Sequence, residues 1–178
     1  MRIISGTLRG RTLHPPATLP VRPTTDFAKE GLFNILETRY DFSGLHVLDL
    51  FAGTGNISFE FISRGVKYLT AVELNGKCCQ YIKSQFKLFG IENAQVISAD
   101  AFRFVKKSAA KYDIIFADPP FEMLNSVTLP DLILNSELLS ENGIFIFEHA
   151  TKLKDPVLEK AFEKRKYGNV SFSFFRKS

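Results

Sequence analysis

A chain of 178 residues, 45% hydrophobic and 24% charged, can bury one core of its own without disulfide or metal staples. That composition excludes a fibrous, low-complexity or disordered chain, and no apolar run is long enough to span a membrane. The formal charge of +4 is carried by the first 25 residues, where Arg2, Arg9, Arg11 and Arg22 stand without an acidic partner.

Residues 1–13 hold two short β-prone runs around Gly6 and Gly10 and predict a hairpin. Residues 14–23 are proline-rich and predict an extended connector. Thr24 or Thr25 caps a helix with Phe27, Leu32, Phe33 and Leu36 on its apolar stripe. From residue 45 strands and helices alternate. Residues 46–51 form a strand that ends in a glycine-rich turn, and residues 57–63 a helix stopped by Gly65. A strand over 68–72 leads into a helix over 76–89, with Cys79, Ile82, Phe86 and Phe89 at helical spacing and Gly90 at its end. The adjacent Cys78 and Cys79 do not suit an ordinary bridge. With no signal-peptide pattern at the start, they point to the reducing cytoplasm.

Strands are expected over 94–98, 112–117 and 144–147, and helices over 131–140 and 156–164. The tail, 169–175, reads as a strand paired with 163–167. It lies beside a second basic group, Lys164, Arg165, Lys166, Arg176 and Lys177. Both basic groups suit a polyanionic partner, since neutralised phosphates release counterions; a solvated surface is the alternative. The alternation predicts an α/β fold with a doubly wound, mostly parallel sheet. Ligands of such sheets bind beyond the carboxyl ends of the strands, near the switch in strand order.

Acidic residues stand at those strand ends. The first strand ends in Asp49-Leu50-Phe51-Ala52-Gly53-Thr54-Gly55-Asn56. Its glycines allow close approach of a ligand to the backbone, but the third small position of a dinucleotide fingerprint is Ser58. Asp49 would repel a pyrophosphate, which favours free amides and positive potential. A ligand with positive charge and no phosphate fits better, and S-adenosylmethionine carries both a sulfonium and an ammonium. Glu73, followed by Leu74, stands about 20 residues after the glycine loop, where an acid accepts from ribose hydroxyls. Asp100, with Ala101 and Phe102 behind it, can accept from an adenine amine, cap a helix, or do both.

The fourth strand ends in Asp118-Pro119-Pro120-Phe121. Prolines fix the backbone and offer carbonyls without amide donors of their own. Asp118 and a proline carbonyl then form two acceptors for the two hydrogens of an exocyclic amine. Gripping both favours a tetrahedral nitrogen as it attacks a methyl group. Phe121 supplies a face for stacking a base, worth about 1–3 kcal/mol. The alternative is a rigid turn with Phe121 in the core. No metal-ligand cluster and no general base is evident.

These residues resemble the bacterial 16S rRNA guanine-N2 methyltransferases of the RsmD type, over nearly the whole chain. The resemblance runs through Arg2-Ile3-Ile4-Ser5-Gly6, Gly10-Arg11, Arg22-Pro23-Thr24-Thr25-Asp26, Glu30-Gly31-Leu32-Phe33-Asn34, the glycine loop from Leu48, Glu60, Ser63-Arg64-Gly65 and Asp118 to Phe121. It implies a seven-stranded class I methyltransferase sheet with a reversed final strand. It also implies methyl transfer from S-adenosylmethionine to N2 of one guanine in small-subunit rRNA, within an assembled or partly assembled particle. Residues 1–40 would be an RNA-contacting extension, with Arg2, Arg9, Arg11, Arg22 and Thr24 on the RNA, and residues 41–178 the methyltransferase domain, acting as a monomer. The cofactor would rest on Asp49, Phe51 to Asn56, Glu73, Leu74 and Asp100 to Phe102, and the target base on Asp118 to Phe121. Ser5 stands where the family usually has glycine, and Phe27 and Lys29 where it often has arginines. The residues alone also admit an amino-methyltransferase of DNA adenine, DNA cytosine or protein glutamine, or a non-catalytic assembly factor that binds the cofactor.

Overall fold

A computed structural model describes residues 1–19 and 24–177. Seven strands build one sheet: β1 (His46–Leu50), β2 (Tyr68–Glu73), β3 (Ala94–Ser98), β4 (Tyr112–Ala117), β5 (Leu139–Ala150), β6 (Glu163–Tyr167) and β7 (Val170–Phe175). Their order is β3-β2-β1-β4-β5-β7-β6. Neighbours from β3 to β5 pair in parallel, and β7 runs antiparallel to both β5 and β6. The reversed final strand is therefore β7, inserted between β5 and β6.

Among the described residues, five α-helices cover the sheet: α1 (Asp26–Glu37), α2 (Asn56–Ser63), α3 (Gly76–Phe89), α4 (Ala101–Lys107) and α5 (Leu129–Leu134). Side chains alternate between the faces of each strand, and both faces are buried, so the parallel strands read as continuous apolar runs. Val47, Leu69, Ala71, Ile114, Phe116 and Ile146 share a core with Leu32 and Phe33 of α1, Phe59 and Phe61 of α2 and Ile82 of α3. Leu48, Leu50, Val72, Ile115 and Phe147 join Val105 of α4 and Leu129 and Ile133 of α5. Among the described residues, no helix is long and apolar enough to cross a membrane.

The structure revises several local expectations. Residues 1–13 fold back on themselves, but with one bridge, Arg2 to Thr12, rather than two strands. This arm is held by α2 instead. Ile4 and Ser5 N–H donate to the Glu60 carboxylate at 2.9 and 3.1 Å, and Thr7 and Leu8 N–H donate to Ser63. Gly6 has φ +84°, and a Cβ there would overlap Ser63. The connector turns at Pro16 to Leu19, and residues 20–23, Arg22 included, lie outside the described residues. Thr25, not Thr24, caps α1 by accepting from Ala28 N–H. Phe27 is not on the buried stripe of α1: it is 70% exposed, and Lys29 takes the inward position.

The expected helix over 131–140 is only the six residues of α5, because β5 begins early. Leu139 pairs with Tyr112 before the register shifts and resumes at Ile144 beside Ile114. The expected helix over 156–164 is a single 3-10 turn, Pro156–Lys160, capped by Asp155. It buries only Val157 and Leu158, too little apolar surface to extend a helix, and the following residues join β6. The short α4 follows Asp100, the residue read from the sequence as a possible helix cap.

Candidate active site

β1, β2, β4 and β5 each end in a carboxylate on one face of the sheet. Asp49 continues the alternation of Val47, Glu73 that of Leu69 and Ala71, Asp118 that of Ile114 and Phe116, and Glu148 that of Ile144 and Ile146. All four point toward the α1–α3 side and line one cleft of about 1300 Å³. The sheet order turns between β1 and β4, so the cleft lies at the switch point of the topology.

The glycine loop forms its floor. Phe51 adopts φ +63°, a conformation that non-glycine residues rarely take, and Gly53 and Gly55 have φ +56° and +84°. A Cβ on Gly55 would lie 2.8 Å from the Phe59 ring, so this turn into α2 requires glycine. Ala52 N–H donates to Val72 O, and Gly53 N–H to Glu73 Oε2 at 2.8 Å. Asn75 N–H donates to the other oxygen of Glu73 at 2.7 Å. Glu73 is thereby fixed, with lone pairs left for a ligand. Asp100 caps α4 by accepting from Arg103 N–H at 2.9 Å, so its two expected roles are compatible.

Asp49 is buried and accepts from Ser58 Oγ at 2.5 Å. Burial, opposed by that hydrogen bond and aided by Glu73, pushes its carboxyl up to about 7. Burial likewise pushes Glu148 up to about 7, against the bond it accepts from Thr24 Oγ1. Asp118 is raised well above the carboxylate range, first by burial and then by Glu148 and Asp49. Among the described residues, the cations lining the cleft are Lys152 and Lys166, toward the β6–β7 side. Near Asp49 the donor set is carboxylates and backbone amides. It suits a ligand that brings its own positive charge, as S-adenosylmethionine does, and disfavours a pyrophosphate.

Of the residues expected at the cofactor, Asp49, Phe51, Ala52, Gly53, Thr54, Asn56, Glu73, Leu74, Asp100 and Ala101 line this cleft, as do Asp118 to Phe121. Gly55 and Phe102 do not. Gly55 shapes the turn, and Phe102 packs edge-on against Phe51. Asn56 is largely committed within the protein: it accepts from Lys29 Nζ and donates to Thr24 O. Lys29 is buried, donates also to Arg2 O at 2.7 Å and lies 3.5 Å from Glu60, so it is a strut of the arm and not a surface cation. Thr24, expected on RNA, is buried and bonded to Glu148. Arg2, Arg9 and Arg11 are exposed along the arm, Arg11 over the Phe89 ring at 4.7 Å. The sequence reading missed Glu148. Its signal was the one that marked Asp49 and Asp118, an acid closing an apolar strand.

A mostly parallel seven-stranded sheet with a reversed β7, carrying a glycine loop and an Asp-Pro-Pro-Phe turn at its carboxyl edge, defines a class I methyltransferase. Residues 1–176 match the family described as conserved hypothetical protein 95. The chain is 36% identical over 160 residues to YlbH of Bacillus subtilis, covering 88% of this chain and 86% of that one. It is 31% identical over 153 residues to ribosomal RNA small subunit methyltransferase D of Buchnera aphidicola subsp. Baizongia pistaciae, covering 86% and 78%. A solved hypothetical protein of Thermus thermophilus superposes with a TM-score of 0.87 at 26% identity, covering 99% of each chain. The protein belongs to this family, that of the RsmD-type class I S-adenosylmethionine-dependent methyltransferases.

Proposed function

We propose that this protein methylates the exocyclic N2 of a guanine in 16S rRNA, using S-adenosylmethionine, within an assembled or partly assembled small ribosomal subunit. The rRNA substrate follows the name of the Buchnera relative. The observation that carries the amine chemistry is the acceptor pair at the end of β4. Pro120 O accepts from Met123 N–H at 2.9 Å in a turn, whereas the Pro119 carbonyl, next to Asp118, accepts no hydrogen bond among the described residues.

The chemistry that the cofactor supplies when bound is a methyl carbon made electrophilic by a sulfonium. Asp49, the 51–56 turn, Glu73 and Asp100 to Phe102 form its binding side. Asp118 and the Pro119 carbonyl take the two amine hydrogens, hold the nitrogen lone pair out of conjugation with the ring, and aim it at the methyl. As the C–N bond forms the methyl–sulfur bond would break, with neutral S-adenosylhomocysteine as the leaving group; the nitrogen becomes cationic, and Asp118 in its ionised form would stabilise that charge and is placed to receive the departing proton. Phe121, 46% exposed at the rim, offers the stacking face for a base turned out of its helix. Arg2, Arg9, Arg11 and Arg22 hold phosphates. Residues 1–40 act as an RNA-contacting extension of the methyltransferase body 41–178, in a cytoplasmic monomer.

Nucleoside mass spectrometry of 16S rRNA from a strain lacking the gene tests this. One N2-methylguanosine should disappear and return with the wild-type gene but not with Asp118→Ala. Unchanged N2-methylguanosine would overturn the substrate and redirect the search to DNA and protein amines.

A further inference from the structure

One buried carboxylate of the cleft takes no part in gripping the amine. Glu148 is 2% exposed yet lines the cleft. The β4–β5 ladder ends with Ala117 paired to Phe147, so Asp118, the residue just past β4, and Glu148 follow side by side, about 5 Å apart by the spacing of neighbouring strands, and both line the cleft. Thr24 Oγ1 donates to Glu148 Oε2 at 2.9 Å, and Oε1 has no hydrogen-bond partner among the described residues. Two carboxylates side by side in a buried wall cannot both stay ionised cheaply, so the pair holds a proton until outside donors come between them. Such a wall is built for a ligand edge rich in N–H groups.

We propose that Glu148 selects guanine, accepting the ring N1–H beside the amine that Asp118 and the Pro119 carbonyl hold. The role rests on the guanine-N2 reading and sharpens it. Guanine presents N1–H and the N2 amine as a continuous row of donors. Adenine sets an acceptor, N1, beside its amine, and cytosine sets N3 beside its own. Either would turn a lone pair toward a carboxylate oxygen, leaving a buried acceptor unmatched, and sites that read a base by its hydrogen-bonding edge reject such analogues. Asp118 and the Pro119 carbonyl would grip any of these amines. Glu148 adds the discrimination among them, and Thr24 fixes the direction in which its free oxygen points.

The test uses small subunits assembled on 16S rRNA ligated to carry guanine or 2-aminopurine at the mapped methylation site. The analogue keeps the amine at C2 but has an acceptor at N1. The wild-type enzyme should prefer guanine in kcat/KM by at least about tenfold, the loss expected for one buried hydrogen bond left unmade. Glu148→Gln should narrow that preference, because a carboxamide can turn an N–H toward an N1 acceptor, while affinity for S-adenosylhomocysteine and the circular dichroism spectrum stay close to wild type. Equal wild-type rates on the two substrates would overturn the role, and that ratio alone decides if the variant does not fold. A Glu148→Gln enzyme slowed by the same factor on both bases would overturn it too, leaving Glu148 as an anchor for Thr24 only. Failure to map any methylated guanine would overturn the substrate reading and this role together.

Discussion

The hydroxyl of Ser58, in the first turn of α2, donates to the buried carboxylate of Asp49 at 2.5 Å. It opposes the burial that pushes Asp49 up to about 7. Because the folded state raises the Asp49 and Glu148 carboxyls above their ordinary range near about 4, it binds more protons than the unfolded chain between about pH 4 and 7. Stability therefore falls as pH rises through that window. Thermal melts of the ligand-free protein at constant ionic strength should show a lower midpoint at pH 8 than at pH 5, with a smaller drop in Asp49→Asn.

Cofactor affinity should run the other way. A cationic ligand selects the ionised form of Asp49, so calorimetric Kd for S-adenosylmethionine should tighten from pH 6 to pH 8. Ser58→Ala removes a bond to the carboxylate and should move the midpoint of that curve to higher pH. An affinity independent of pH in both proteins would show that Asp49 does not face the cation.

Glu73 is the acceptor for Gly53 and Asn75 N–H, so it orders the turn as well as offering oxygens to a ribose. Glu73→Ala should weaken S-adenosylhomocysteine binding by roughly tenfold or more, the equivalent of about 1.4 kcal/mol, with the fold kept as judged by circular dichroism.

The Glu60 carboxylate is fully buried and meets Ile4 N–H, Ser5 N–H, Arg64 Nε at 2.9 Å and Lys29. Burial already lowers the Lys29 pKa, and Glu60 is the neighbour that holds it up. Glu60→Ala should destabilise the protein by about 3–5 kcal/mol, since it leaves a buried cation and two amides without their partner. Urea unfolding measures the loss, and limited proteolysis should cut first within residues 1–13.

A Cβ on Gly31 would overlap the outer edge of the half-buried Tyr167 ring, so any side chain there must push that ring aside. Gly31→Ala should therefore shift Tyr167 with little net change in stability, because about 1 kcal/mol of helix propensity offsets the repacking. Phe27 packs edge-on against Tyr167 at 5.6 Å, and both line the cleft. Methylation should therefore fall further than cofactor affinity, which a comparison of initial rates with Kd would reveal.

Much of this was legible in the sequence because the signals were local. The strands buried on both faces announced themselves as apolar runs, and Gly65 and Gly90 ended their helices at φ +85° and +65° as glycines do. Asp49, Glu73, Asp100 and Asp118 were found by position, each at or just past the end of a strand. What escaped depends on contacts distant in sequence. Phe27 fits the helical stripe, yet the inward place goes to Lys29, whose charge is met by Glu60, Asn56 and Arg2 O. The bridge of the arm goes no further because Ile4, Ser5, Thr7 and Leu8 N–H donate to Glu60 and Ser63 of α2. The early start of β5 rests on pairing with Tyr112, which the polar run of Glu141 and Asn142 conceals.

Arg2 O, Lys29, Asn56, Thr24 and Glu148 form one unbroken series of hydrogen bonds from the arm to the cleft wall. Its members come from the first turns of the chain, α1, α2 and β5. A chimera joined at residue 40 would exchange half of this series and strand the other half. Recombination between relatives should therefore succeed only when positions 24, 29, 56, 60 and 148 travel as a set, so the amino-terminal segment is inherited with its sockets and is not a detachable module.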